Sequence, residues 1–453
     1  MPNSVRKTFD HAHWQSRLDD LRAEHRVPGA TLAVLVNGEI HELASGILHR
    51  GTGVEVTIDS IFQLGSIAKV YTAALVLGLA EEGRLDLDAP VVEVLPEFAT
   101  VDPEATKTIT ARQLLSHTGG LTCDFVEDTG RGDDCLAKYV EAVRGVTLDC
   151  PPGTAASYSS VGYAVLGRIV EVLTGLTWDD ALRERLITPL GLTETMTLPE
   201  EALRFRVAMG HLGQDPEPTA AWDLLPRNAG PYGRVLATAG DVVRFARTLL
   251  DGTPVLSAET VTAMRRREVE VPDKWTLGSD GWGLGLSIHD WNGVSGFGHN
   301  GSSIGQRSYL RVVPDAGLAF ALLTNHGTTD RLYTELSREL LGELAGVQVP
   351  ADFAPPPSPP LMDVAPFAGT YRREGVIITV TETEGKLHFV YEFADGLKGI
   401  APAIETELVP VSETVFAGMN PMFGDDWMPV LFTKLPDGTD CCYTSMRVAP
   451  RIA

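Results

Sequence analysis

Apolar positions near the start of the chain repeat at helical spacing. Phe9, Trp14, Leu18 and Leu21 do so across residues 9–25, as a helix that buries one face requires. ATLAVLV (30–36) and EIHELASG (39–46) then flank Asn37-Gly38. That pair accepts the positive φ of a two-residue hairpin turn, so two antiparallel strands are predicted. After Ser66 the run IAKVYTAALVLGLAEEG is apolar on nearly every side until Gly83, which predicts a buried helix.

From about 85 to 265 the pattern is mostly helical. Thr110 with Gln113 forms a capping box before Leu114 and Leu115, and Gly119-Gly120 ends that helix. Another is predicted from Gly162 to Leu173, closed by Gly175. Thr177 caps a helix broken before Pro189, and Thr238 with Asp241 opens a further one. Near 281 the period changes to two: GWGLGLSIHDW, GFGHN, GQRSYLRVV and LAFALLTN read as successive strands. A helix from about Thr329 to Leu344 carries Leu332, Leu336, Leu340 and Leu344 on one face. ADFAPPPSPP opens a stiff Pro-rich linker (351–362), and residues 363–453 show only strand-like alternation, in VIITVTE, KLHFVYEF and PVLFTKL.

The expected architecture is α/β (α+β). A catalytic region spans 1–350, its α/β lobe from about 9–65 and 281–346 and its helical lobe about 66–280. A separate β module follows the linker. Length alone suggests about three domains; the pattern reduces them to two.

Charge and targeting narrow the function classes. Among 453 residues, Asp+Glu number 60 against Lys+Arg 37, a formal charge of −23, and no basic run of five occurs. Phosphate backbones and anionic membranes need clustered cations, so no nucleic acid and no membrane partner is expected. Hydrophobic residues at 44% and charged residues at 21% are ordinary for a globular chain. The first twenty residues hold no apolar leader core, and Val70 to Ala80 is too short to span a bilayer. The expectation is a cytoplasmic protein. Cys123, Cys135, Cys150, Cys441 and Cys442 are odd in number and lack metal-ligand spacing, so they read as reduced thiols, with a Cys123–Cys135 bridge as the alternative.

Three constellations compete for the chemistry. In Ser66-Ile67-Ala68-Lys69, positions i and i+3 share a helix face, which sets Lys69 beside Ser66. A serine at a helix N-terminus has main-chain N–H groups for an oxyanion, and a desolvated lysine can activate its hydroxyl. S-x-x-K is short, and Ser4-Val5-Arg6-Lys7 is a second copy in a polar leader; the strand-like IFQLG and the apolar helix single out Ser66. The second is Gly301-Ser302-Ser303-Ile304-Gly305, a formal nucleophile elbow. An elbow needs a helix after its serine, whereas GQRSYLRVV alternates like a strand. In the third, His11 and His13 could pair on a metal, but residues i and i+2 of a helix point apart. No metal and no cofactor are expected.

FQLGSIAK, LLSHTGGL (114–121), PPGTAASYSSVGYAVLG (151–167) and FGHNGSSIG (297–305), in this order, closely resemble the serine β-lactamase and penicillin-binding-protein superfamily. The likeness covers about residues 9–346 and is greatest to class C β-lactamases, family VIII esterases, D-aminopeptidases and related transacylases and peptide cyclases. It implies the β-lactamase/transpeptidase-like fold, an antiparallel sheet with flanking helices and an all-α lobe. By resemblance Ser66 is the acylated nucleophile and Lys69 its proton partner. Tyr158 is the tyrosine that moves protons to and from the leaving group. His299-Asn300-Gly301 is the third motif on the strand lining the site, and Ser302 supplies the second oxyanion N–H beside that of Ser66.

H-x-G also occurs at His117 and His211, so only the Gly-rich strand singles out His299; His117, ending a capped helix, reads as structural. Two departures stand out. His299 replaces a lysine, a weaker anchor for a carboxylate at neutral pH. Ser160 replaces an asparagine, giving one hydroxyl for an amide. Both lower the expectation of efficient β-lactam hydrolysis. The module from APFAGTYRR (365–373) resembles the lipocalin-like domain of some relatives. Arg447 near its end either reaches a substrate carboxylate or is a solvated arginine. DFVEDTGRGDD (124–134) reads as a solvated loop.

The expected activity is acyl transfer through acyl-Ser66, from an ester, thioester or amide of a small molecule or peptide, to water or an amine. A D-aminopeptidase or β-lactamase-type peptidase is one alternative, and a non-catalytic binding protein of the same fold is another.

Overall fold

The computed structural model describes residues 8–419 and 426–453; the Ser4–Lys7 copy of S-x-x-K lies outside them. The chain divides into two compact units: residues 1–85, 173–266 and 285–350 form the first, and 86–172, 267–284 and 351–453 the second. The segment expected as one helical lobe (66–280) is thus shared between the two.

In the first unit Asn37 (φ 54°) and Gly38 (φ 83°) make the expected turn between β1 (Gly29–Val36) and β2 (Glu39–His49). Val36 pairs with Glu39, and the register continues to Gly29 opposite Gly46. The GWGLGLSIHDW run is broken at Gly285 (φ 84°) into a two-residue strand, Gly281–Trp282, and the longer β3 (Ser287–Trp291). After it come β4 (Val294–Ser303), β5 (Gln306–Val313) and β6 (Leu318–Thr324). All pair antiparallel in the order β2-β1-β6-β5-β4-β3.

Helices cover the sheet. α1 (His11–Glu24) starts at Asp10, whose carboxylate accepts the His13 N–H at 3.0 Å. α2 (Ala68–Glu81) is buried nearly all round, as its composition requires. α3 (Ala239–Asp251) is capped by Thr238 through the Asp241 N–H, and α4 (Asp330–Ala345) carries the leucine stripe. Trp14, Leu18 and Leu21 pack with Leu332, Leu336, Leu340 and Leu344 in one core, where each aliphatic side chain contributes about 1.5–3 kcal/mol. Arg17 of α1 grips Glu339 of α4 bidentately at 2.8 and 2.7 Å. His11 is exposed, and His13 faces Glu343 at 3.9 Å.

The second unit contains the capped helix Ala111–Leu115, its Thr110–Gln113 box complete in both directions, the helix Val161–Thr174 and the C-terminal strands. These are β7 (Gly369–Arg373), β8 (Val376–Thr383), β9 (Lys386–Phe393), β10 (Ile404–Pro410), β11 (Val415–Met419), β12 (Trp427–Lys434), β13 (Asp440–Thr444) and β14 (Arg447–Pro450). Each pairs with the next, and a Tyr371–Arg451 bridge brings the first back to the last. The result is a nearly closed lipocalin-like barrel, filled by Tyr371, Phe389, Phe416 and Phe432. Its other face packs Leu431, Cys441, Tyr443 and Val448 on Cys150 and Ala155. No disulfide joins any of the five cysteines.

Asp149 lies buried at this seam, accepting the Ser157 hydroxyl at 2.9 Å, while Ser157 Oγ accepts the Val448 N–H at 3.2 Å. Burial pushes the Asp149 carboxyl from 3.8 up to about 7, against the lowering effect of Ser157, Thr122 and Arg447. The folded chain therefore holds this proton more tightly than the unfolded chain. The associated stability is complete below pH 3.8 and is lost as pH rises to about 7, a change of about 4 kcal/mol at about 1.4 kcal/mol per unit. Asp149→Asn cannot ionise. Denaturant unfolding of both proteins should show the wild type losing stability relative to the variant from about pH 4 to 7, with no further divergence above.

Candidate active site

The local sequence explains how Ser66 is presented. A 3-10 turn, Gly65–Ile67, leads directly into α2, leaving Ser66 half-buried at its start. Gly65 has φ 51°, and a Cβ there would lie 2.5 Å from the Ser302 carbonyl oxygen and 2.6 Å from its nitrogen. A Cβ on Gly301 would meet the Leu64 carbonyl oxygen at 1.9 Å. Two glycines therefore let β4 lie main chain against main chain on residues 64–66. Ser308 seals the contact by donating to the Leu64 carbonyl at 2.7 Å. This lays the Ser302 main chain against that of Gly65, the residue before Ser66.

Lys69 is wholly buried. Its Nζ donates to Ser66 Oγ at 3.2 Å and to the Tyr232 carbonyl at 3.0 Å, and lies 5.5 Å from the Tyr232 ring centroid. His299, buried on β4, donates from Nδ1 to the Asn300 carbonyl at 2.6 Å. Burial first, then the nearby charge of Lys69, pushes its pKa down to about 3. His299 is therefore a neutral ring at pH 7 and offers no charge to a carboxylate. Asn300, opposite Tyr309, is half-buried, and Ser302 is exposed.

Gly301 to Gly305 joins two strands, not a strand and a helix, which removes the elbow. Ser303 spends its hydroxyl on the Gln63 side-chain carbonyl, and Gln63 N–H donates to Gln306 Oε1 at 3.0 Å. These contacts anchor the segment before Ser66 rather than supply a nucleophile.

The second unit holds Tyr158, Ser160 and Arg447. His117 (φ 58°) brackets the tyrosine: its carbonyl accepts the Ser157 N–H at 2.9 Å and its Nδ1 the Ser159 N–H at 3.1 Å. The two rings lie 4.4 Å apart, with Trp282 5.5 Å from Tyr158. Tyr158 N–H donates to the Met446 carbonyl at 3.0 Å. Arg447 is not a solvated arginine. Its guanidinium lies 5.4 Å from the Tyr158 centroid and donates to Cys123 Sγ at 3.0 Å. Cys123 Sγ is 3.3 Å from Ser160 Oγ.

The loop expected to be solvated departs from that at its first residue. Asp124 is half-buried, pairs with the buried Arg373 and lies 3.8 Å from Arg447. A buried guanidinium needs a carboxylate; even so, burial pushes Arg373 down to about 10. Residues 130–134 are exposed as expected.

Sequence reading missed Tyr232, Trp178 and Thr72. Trp178 N–H donates to Thr72 Oγ1 at 3.1 Å, and Thr72 donates to the Pro231 carbonyl at 2.7 Å. NAGPYG (228–233) offered only turn signals, because its contribution to Lys69 is a main-chain carbonyl.

Comparison with known proteins gives the family. The Beta-lactamase family model matches residues 14–343. Penicillin-binding protein 4 of Amycolatopsis lactamdurans is 62% identical over 376 residues, 81% of this chain and 99% of that protein. Esterase EstB of Burkholderia gladioli is 30% identical over 319 residues, 61% of this chain and 80% of its own. The crystal structure of SurE with D-Leu matches at 29% identity with a TM-score of 0.80, covering 98% of this chain and 99% of that one. With its serine–lysine pair, its glycine-mediated strand contact and a family match over most of its length, the chain belongs to the beta-lactamase family, within the serine β-lactamase and penicillin-binding-protein-like superfamily of serine hydrolases.

Proposed function

We propose that this hydrolase works through an acyl-Ser66 intermediate and serves natural-product metabolism as an acyl transferase or peptide-cyclising enzyme. The observation that carries the reading is the buried Lys69 Nζ at 3.2 Å from Ser66 Oγ. Lys69, acting as the neutral amine, and Tyr158 together take the Ser66 proton as Oγ attacks an ester, thioester or amide carbonyl. The N–H groups of Ser66 and Ser302 hold the oxyanion, and Tyr158 returns the proton to the leaving group. Water or an amine then breaks the acyl ester. Arg447, rather than the neutral His299, receives a substrate carboxylate. SurE was solved with D-Leu, which supports a D-configured residue on the donor or the acceptor. D-aminopeptidase chemistry is the second reading and uses the same residues with water as acceptor.

Ser66→Ala should abolish labelling by a fluorophosphonate or penicillin probe and lower turnover by about 10⁴-fold or more, whereas Ser303→Ala should still label. The reverse pattern sinks the assignment. Gly301→Ala, whose Cβ has no room beside Leu64, should fold with the strand displaced and acylate about 10²–10³-fold more slowly. Mass spectrometry of products from an acyl ester with competing amines should show amide formation; hydrolysis alone at every amine concentration would favour the peptidase reading.

A further inference from the structure

We infer that Thr72 is a positioning residue for Lys69, acting through the main chain of residues 231 and 232. Ser66, Lys69 and Thr72 are spaced by three and share one helical stripe. Inside a helix, a threonine hydroxyl commonly turns back to its own preceding turn. Here it leaves the helix and donates to the Pro231 carbonyl at 2.7 Å.

Its lone pair is also used, by the Trp178 indole N–H at 3.1 Å. A hydroxyl has one proton to donate, so occupation by the indole fixes where that proton points. Thr72 is fully buried and Trp178 nearly so. The indole also packs against Gly230, where a Cβ would meet the ring at 2.8 Å. Residues 230–232 are therefore held from two directions. The next carbonyl, that of Tyr232, accepts from Lys69 Nζ at 3.0 Å.

The chain indole → threonine hydroxyl → Pro231 carbonyl thus sets the plane in which the Tyr232 carbonyl meets the amine. The same amine donates to Ser66 Oγ at 3.2 Å, so a shift at residue 231 is transmitted to the serine–lysine pair. A misplacement of about 1 Å at a reacting group can cost about 10²-fold. This inference rests on the proposed role of Lys69 as proton partner of Ser66.

The test compares Thr72→Val, close in volume but without the hydroxyl, with Thr72→Ser, which restores it. Burst acylation of Ser66 by a penicillin or fluorophosphonate probe and steady-state kinetics on an acyl ester are measured on the full chain, with melting temperature alongside. The expected result for Thr72→Val is acylation slowed about 10- to 100-fold with KM changed less than about 3-fold. Thr72→Ser should recover to within about 3-fold of wild type. A Thr72→Val protein that melts earlier yet acylates at the wild-type rate overturns the inference, as does a Thr72→Ser variant that acylates as slowly as Thr72→Val. Should Thr72→Val not fold, Trp178→Phe removes the donor that aims the hydroxyl. Slowed acylation at unchanged KM supports the inference there, and an unchanged rate overturns it. If the wild type itself is not labelled at Ser66, the acyl-enzyme reading fails instead, which keeps the two failures distinct.

Discussion

Burial of Lys69 is the constraint around which the first unit is arranged. An amine removed from water must be repaid in hydrogen bonds, since desolvation costs several kcal/mol where none are made. Ser66 Oγ and the Tyr232 carbonyl are two of its acceptors. Each acceptor in turn needs a rigid support. The serine obtains it from a 3-10 turn clamped under β4, and the carbonyl from a segment packed on Trp178. A site that leaves little rotamer choice to a four-carbon side chain is preorganised for the proposed proton transfer.

The same burial decides the chemistry of the third motif. Another cation on β4 would face Lys69 across a dry interior, and His299 avoids this by staying neutral down to about pH 3. In the proposed mechanism the strand then contributes main-chain donors rather than charge. That is why the proposed carboxylate role falls to Arg447, whose guanidinium is held by Asp124 and Cys123 rather than dispersed in solvent.

Much of this was legible where the signal is local. The Asn37-Gly38 turn, the Thr110–Gln113 box and the leucine stripe of α4 each depend on residues within a few positions, and each is seen as read. The Ser66–Lys69 pairing is local too. What escaped were partners distant in sequence: Tyr232 lies 163 residues from Lys69 and Asp124 lies 249 from Arg373. No periodicity reports such a pairing, and a main-chain acceptor has no side-chain signature at all. Arg447 read as surface because a charged residue at a strand end normally is; its burial depends on a thiol and a carboxylate placed by a different part of the chain.

The turn before Arg447 shows how the barrel enters the catalytic account. Ser445 (φ 51°) and Met446 (φ 69°) both occupy the left-handed region, where a two-residue hairpin favours Asn-Gly. For side-chain-bearing residues that conformation costs about 1–2 kcal/mol each. Asn-Gly would relieve the strain and still offer a carbonyl to Tyr158, so backbone geometry alone does not account for the residues present. Met446 does: its side chain packs in the cluster with Tyr158, Trp282 and Cys123, filling space that a glycine would leave empty. The strained turn therefore fixes the tyrosine from below by packing and at its N–H by a hydrogen bond, while His117 holds the flanking amides. A phenol with the proposed proton-transfer role needs this immobility more than the hairpin needs an unstrained turn.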